Sequence, residues 1–298
     1  MNRIVSFICV LFLGAALHAQ EYDFKYISSH IFLSAKVNGV SARLAFDTGS
    51  SDVYLDSTWL CESKLDFPQR GRVMLRGAGN EPRQSTIIFS GVDIEMGGGR
   101  YSPAMVPVMD LRSILGEHAD GLFGLGEWKG KVISIDHDNC KLTVYEKLDA
   151  ALTEGFTRVP IETDPAHPGQ ILVPIEAGVA PGKVISGKAL LDTGSGQGLV
   201  FTSKAAQLFQ LDKLSDRKPF HYEHGGASGE SAGYGFDVEN VTLGTVPSSF
   251  TKARYSTDKT GTMASEAFVA VVGNELLSQY SIIIDLGTGA LYLKERTS

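Results

Sequence analysis

Two facing copies of one all-β unit are the architecture this sequence predicts, and three observations carry the prediction. The stretch "LAFDTGSS" at Leu44–Ser51 returns as "ALLDTGSG" at Ala189–Gly196, with the acids 145 residues apart (192 − 47 = 145). The ends of the copies align without gaps: "LFG" at 122–124 matches "VVG" at 271–273, and Asp136 matches Asp285 at the same offset (285 − 136 = 149). Apolar and polar residues alternate with period two between Gly and Asn turns, and long helical periodicity is scarce. Self-similarity over this length means one structural unit used twice.

The elements follow in chain order. Residues 1–19, "MNRIVSFICVLFLGAALHA", join one positive charge at Arg3 to an apolar run from Ile4 to Leu17 and a small Ala19, the pattern of a cleaved signal peptide. That run is shorter than the ~20 apolar residues of a spanning helix. A secreted or periplasmic protein is expected, with no membrane span in the mature chain. Loss of Arg3 takes the formal charge from −7 to −8, and nothing in this balance points to nucleic acid. Cys9 leaves with the signal; Cys61 and Cys140 remain, and an oxidising compartment would permit them to pair.

The first copy, residues 20–155, opens with "HIFLSAKVNGVSARLAF", where Asn38-Gly39 between two β-prone segments signals a tight hairpin. The second, residues 156–298, opens with "QILVPIEAGVAPGKVISGKALL", again two β-prone segments around Pro and Gly. The boundary falls in 153–170, where charged residues and three prolines interrupt the pattern. Each copy then has a glycine-bearing stretch, "LRGAGNE" at Leu75–Glu81 and "EHGGASGE" at Glu223–Glu230, followed by a strand ending in glycine. "TSKAAQLFQL", Thr202–Leu211, is the clearest short helix.

If the copies pack about a pseudo-twofold axis, Asp47 and Asp192 face each other at the centre. Two carboxylates at hydrogen-bonding distance do not both ionise readily, so the pair holds an acid and a base at one pH. The base takes a proton from a trapped water that attacks a peptide carbonyl, while the acid protonates the carbonyl oxygen. The neighbours have roles in this scheme: Thr48 and Thr193 hydrogen-bond across the interface, Gly49 and Gly194 let backbone N–H groups approach the carboxylates, and Ser50 and Ser195 donate to the outer carboxylate oxygens.

These residues resemble the two-lobed pepsin-type aspartic proteases, with some features closer to the retroviral type. "DTGSSDVYLDSTWLC" is similar to the first active-site segment of pepsins and "DGLFGLG" to their hydrophobic-hydrophobic-Gly segment. The likeness covers nearly all of residues 30–295. It implies an all-β bilobal fold with two pseudo-twofold related, barrel-like lobes, a central cleft, and endopeptidase activity on a peptide or protein substrate by a monomer without cofactor or metal. The shared-proton carboxylate pair is the stock illustration of this family's pKa logic. Two departures stand out: no tyrosine occupies the first flap, and only about ten residues separate the signal from the first expected strand, leaving no basic pro-segment. The small residues Gly77, Ala78, Gly79 and Gly225, Gly226, Ala227 instead suggest two flaps, one per copy, that grip substrate backbone. The competing expectation is a catalytically idle peptide-binding protein of the same fold.

Two motifs are decoys. "IDLGTG" at Ile284–Gly289 resembles the phosphate-binding start of actin-like ATPases, but its match to "IDHDNC" makes it a hairpin turn. "HYEH" at His221–His224 lacks the helical spacing of a zinc protease, and no metal is expected there.

Overall fold

A computed structural model describes residues 19–164, 167–214, 216–221 and 226–296. The expected signal lies outside these, apart from Ala19. The chain is all-β, organised in two sheets with short helices at their edges. Among the described residues both sheets run as open paths, so the barrel-like closure expected of each lobe is not found.

The base of the molecule is six antiparallel strands drawn from both copies, in the order Thr157–Pro160, Ala290–Glu295, Tyr280–Asp285, Val132–Asp136, Lys141–Tyr145 and Ala19–Ile27. The central pair fixes the symmetry. Ser134 lies opposite Ile283, and these two are each other's repeat equivalents (134 + 149 = 283), so the pseudo-twofold axis passes through that pair. The first strand begins earlier than expected: the residues between the signal and the first expected strand are themselves a strand of this base, Ala19–Ile27.

Each copy then repeats one motif. Val40–Asp47 runs parallel to Gly121–Gly124, with Ala45 opposite Leu122; Lys183–Leu191 runs parallel to Ala270–Val272, with Leu190 opposite Val271. The Asn38-Gly39 hairpin forms as expected, with both residues left-handed (φ 47° and 82°), which matches the twist of the flanking strands. The helix of the second copy spans Ser203–Leu208, capped by Thr202, whose Oγ1 accepts from Ala205 N at 3.1 Å. It stops short of Leu211 because Gln210 turns left-handed (φ 54°). "IDLGTG" is a turn between Tyr280–Asp285 and Ala290–Glu295, held by Asp285 Oδ1 accepting from Gly287 N and Thr288 N.

Apolar packing holds the strand that ends in Asp47. Fully buried Trp128 sits 5.4 Å from Phe46 and 4.9 Å from Phe123, ring centre to ring centre, and donates Nε1–H to Tyr101 Oη at 3.1 Å. Such contacts exceed simple area burial by roughly 0.5–1.5 kcal/mol per pair. Fully buried Asp56 accepts from Trp59 N, Leu111 N and Arg112 N, with the Arg112 guanidinium at 3.6 Å. These bonds fix Leu111–Leu115, one wall of the cleft described below.

Candidate active site

Asp47 is the last residue of its strand, and Asp192 directly follows the equivalent strand. The loops after them are held by a reciprocal bridge. Thr48 Oγ1 donates to Leu191 O at 2.7 Å and accepts from Thr193 N at 3.0 Å; Thr193 Oγ1 donates to Phe46 O at 2.9 Å and accepts from Thr48 N at 3.0 Å. Both threonines are buried, so each hydroxyl satisfies one donor and one acceptor of the opposite lobe. Thr48→Val or Thr193→Val leaves that N–H and C=O unpaired, at about 1–3 kcal/mol per group. A fall in the urea midpoint at unchanged slope is expected for each, and the double variant should lose less than the sum, because both remove the same bridge.

The glycines have a steric reason that period and spacing could not reveal. A Cβ on Gly194 would lie 2.4 Å from Asp47 Cγ, and one on Gly49 would lie 2.7 Å from Asp192 Cγ. Each carboxylate therefore occupies the space of the opposite loop's missing side chain. Gly49 N donates to Asp47 Oδ1 at 2.7 Å, and Gly194 N and Ser195 N donate to Asp192 Oδ1 at 2.9 and 3.1 Å. The glycines of "LFG" and "VVG" stand beneath the same loops. A Cβ on Gly124 would sit 2.6 Å from both Ser50 O and Asp52 O, and one on Gly273 would sit 2.3 Å from Gln197 O.

The serine hydroxyls depart from expectation. Ser50 Oγ accepts from Asp52 N at 3.1 Å, and Ser195 Oγ accepts from Gln197 N at 3.4 Å. Each closes its own loop as a local serine turn, a bond available two residues away without crossing the site. Backbone amides, not hydroxyls, serve the carboxylates.

Asn274 was not legible as a site residue. It is fully buried, and its Nδ2 donates to Thr193 O at 2.6 Å and to Ser29 O at 2.8 Å, tying the second active-site loop to the first copy. The available signal was an asparagine directly after "VVG" where the first copy has Leu125 (274 − 149 = 125).

Both carboxyls are half-buried, open to the cleft on one side and walled by protein elsewhere. Burial raises the Asp47 carboxyl above the ordinary carboxylate range, opposed by hydrogen bonds from Asp192 and the loop amides. Burial raises Asp192 further, reinforced by the charge of Asp47 and the hydrogen bond between the two. The pair thus favours one shared proton.

Above the carboxyls lies a cleft of about 390 Å³. Tyr54, Met109, Leu111 and Leu122 line it from the first copy; Leu190, Val200, Met263 and Val271 line it from the second. Its roof is two hairpins. Arg70–Leu75 pairs with Arg83–Ile88, and Lys218–His221 pairs with Ala232–Asp237. Their tips meet: Ser228 N donates to Ala78 O and Glu81 N donates to Ser228 O, both at 2.7 Å, and Gly77 N donates to Ser228 Oγ at 2.8 Å. Asn80 extends the junction, accepting from Lys259 N at 2.7 Å and donating to Asp258 Oδ1 at 3.2 Å.

Gly77, Ala78, Gly79, Gly226 and Ala227 are all in this junction; Gly225 lies outside the described residues. Gly77 faces Ala227, and Gly226 faces Ala78, each too closely for a side chain (2.7 and 2.5 Å to the facing Cβ). Gly77→Val and Gly226→Val are therefore both expected to spread the tips and lower kcat/KM with little change in melting temperature; an effect confined to Gly77 would mean a single working flap.

Cys61 and Cys140 are both free thiols, so the permitted disulfide is not formed. Of "HYEH", residues 222–224 lie outside the described residues.

Residues 33–126 match the family model described as aspartyl protease, a segment that holds Asp47, the first roofing hairpin and "DGLFGLG". No curated protein matches the chain. The first copy is thus similar to aspartyl proteases over the residues that build its half of the site, which supports a protease-like function for the chain.

Proposed function

We propose that the protein is an aspartic endopeptidase. The observation that carries this reading is the pair Asp47 and Asp192, facing across the pseudo-twofold axis within hydrogen-bonding reach at the floor of a roofed cleft. Asp192 holds the proton and Asp47 is ionised. Asp47 takes a proton from a water lodged between them, the water oxygen bonds to the peptide carbonyl carbon, and Asp192 protonates the carbonyl oxygen to give a gem-diol. Asp47 then gives its proton to the amide nitrogen, the C–N bond breaks, and a gem-diol hydroxyl returns its proton to Asp192 as the carboxylic acid product forms. The amides of Gly49, Gly194 and Ser195 hold the carboxylates in place, so little reorganisation accompanies the charge movement.

The paired tips support the retroviral-type two-flap reading over a single pepsin-like flap. A closed roof excludes water and must part for an extended chain to enter. The signal-like N-terminus supports action in a secreted or periplasmic compartment, and N-terminal sequencing of exported protein checks it. A complex peptide mixture incubated with the protein and read by mass spectrometry tests the activity: internal cleavages are expected with the wild type and none with Asp47→Asn or Asp192→Asn. An intact mixture under all conditions would leave a peptide-binding protein.

A further inference from the structure

The hairpin that roofs the cleft from the first copy has a charge opposite to that of the whole chain. Residues 70–83 contain Arg70, Arg72, Arg76 and Arg83 against one acid, Glu81, a formal +3 (4 − 1) in a chain of formal charge −7. Arg70 is answered locally by Asp66 at 3.0 Å. Among the described residues Arg72 donates to the neutral Gln84 side chain alone, at 2.7 Å. Arg83 lies against the opposite tip, its Nη2 3.4 Å from the Cβ position of Gly229. Arg76 lines the cleft itself, is exposed, and pairs with no acid among the described residues. Among the described residues the only acids lining the cleft are Asp47 and Asp192. Asp258, beside the flap junction, is buried and held by Asn80 Nδ2 and by Ser231 Oγ at 2.8 Å. Glu81 and Glu230 stand at the tips.

A guanidinium presents planar paired donors that fit a carboxylate in two-point fashion. One placed beside the path of a substrate and left without an internal partner selects for that group. We propose that Arg76, supported by Arg72 and Arg83, is a specificity-determining residue that favours peptides with an aspartate or glutamate side chain near the scissile bond. This rests on the endopeptidase reading. Charges at a rim act chiefly on encounter and complex formation, so the preference resides in KM and weakens with salt.

The test uses peptides matched except for Glu, Gln or Lys at each position flanking the cleaved bond. Turnover is measured with wild type, Arg76→Gln and Arg76→Lys, and binding to Asp192→Asn is measured by fluorescence anisotropy with and without Arg76→Gln. At low salt, at least one position should show kcat/KM about tenfold higher for Glu than for Lys, falling to about twofold or less in Arg76→Gln and partly kept in Arg76→Lys. Equal kcat/KM for all three peptides at every position, or a Glu preference unchanged in Arg76→Gln, would overturn the proposal. Cleavage without charge preference leaves the hydrolase reading intact and removes this one. Arg76-dependent Glu binding by Asp192→Asn, with no cleavage by wild type, removes the hydrolase reading and keeps this one. Absence of both removes both.

Discussion

Asp192→Asn is expected to lower peptide hydrolysis by roughly 10²- to 10⁴-fold, the range for loss of a general acid or base, and to raise the melting temperature at neutral pH. The two effects share one cause. The carboxyl of Asp192 is raised by burial and by the charge of Asp47, so the folded protein binds that proton more tightly than the unfolded chain does. A carboxyl raised in this way stabilises the fold in acid, and that contribution is lost as pH rises through the raised value. An amide removes the buried charge while matching the carboxyl in shape. The variant should therefore melt above the wild type at neutral pH, with the gap closing toward acid. Asp47→Asn should be equally inactive, since an amide can serve neither as base nor as acid. Comparable turnover in either variant would remove the pair from the chemistry, and a lower melting temperature would mean the carboxyls are not in electrostatic conflict.

Gly194→Ala is the second large effect. Its Cβ would lie 2.4 Å from Asp47 Cγ and 2.5 Å from Asp47 Oδ2, so either the carboxylate or the loop must move. The loop is pinned by the Thr193 bridge and by Asn274, which leaves the carboxylate to be displaced. Displacement of about 1 Å is enough for a loss of order 10²-fold in rate, and overpacking of a close site adds about 1–3 kcal/mol of destabilisation. Gly235→Ala is the matched control: its nearest atom would be 3.7 Å away and its φ is ordinary, so normal folding is expected. Thermal melts and kcat/KM on both variants check the pair.

The repeat told most of what depends on local pattern. Alternation and the Asn38-Gly39 turn marked the strands, the duplicated acids marked the centre, and Thr202 marked a helix start. The threonine bridge was legible too, because a hydroxyl beside a symmetric axis has its own copy as the nearest partner. What stayed hidden depends on distant approach. The meeting of the flap tips joins Ala78 to Ser228, and no local preference encodes a contact between them. The six-stranded base sets three strands of one copy edge to edge with three of the other, so reading each copy as a self-contained barrel missed it. The serine roles failed for the opposite reason: each hydroxyl oxygen is turned toward a backbone amide two residues away, since closing so short a ring needs little ordering. Asn274 is one buried amide in a segment that keeps the register of the first copy but few of its residues, so its difference from Leu125 does not stand out.

The most direct test of the shared-proton dyad is the pH dependence of kcat/KM on one cleaved peptide. A bell is expected, rising as Asp47 ionises and falling as Asp192 loses its proton, with the descending limb well above the ordinary carboxylate value of about 4. A profile that climbs through a single ionisation to an alkaline plateau would contradict it, since two ionised carboxylates cannot supply the acid.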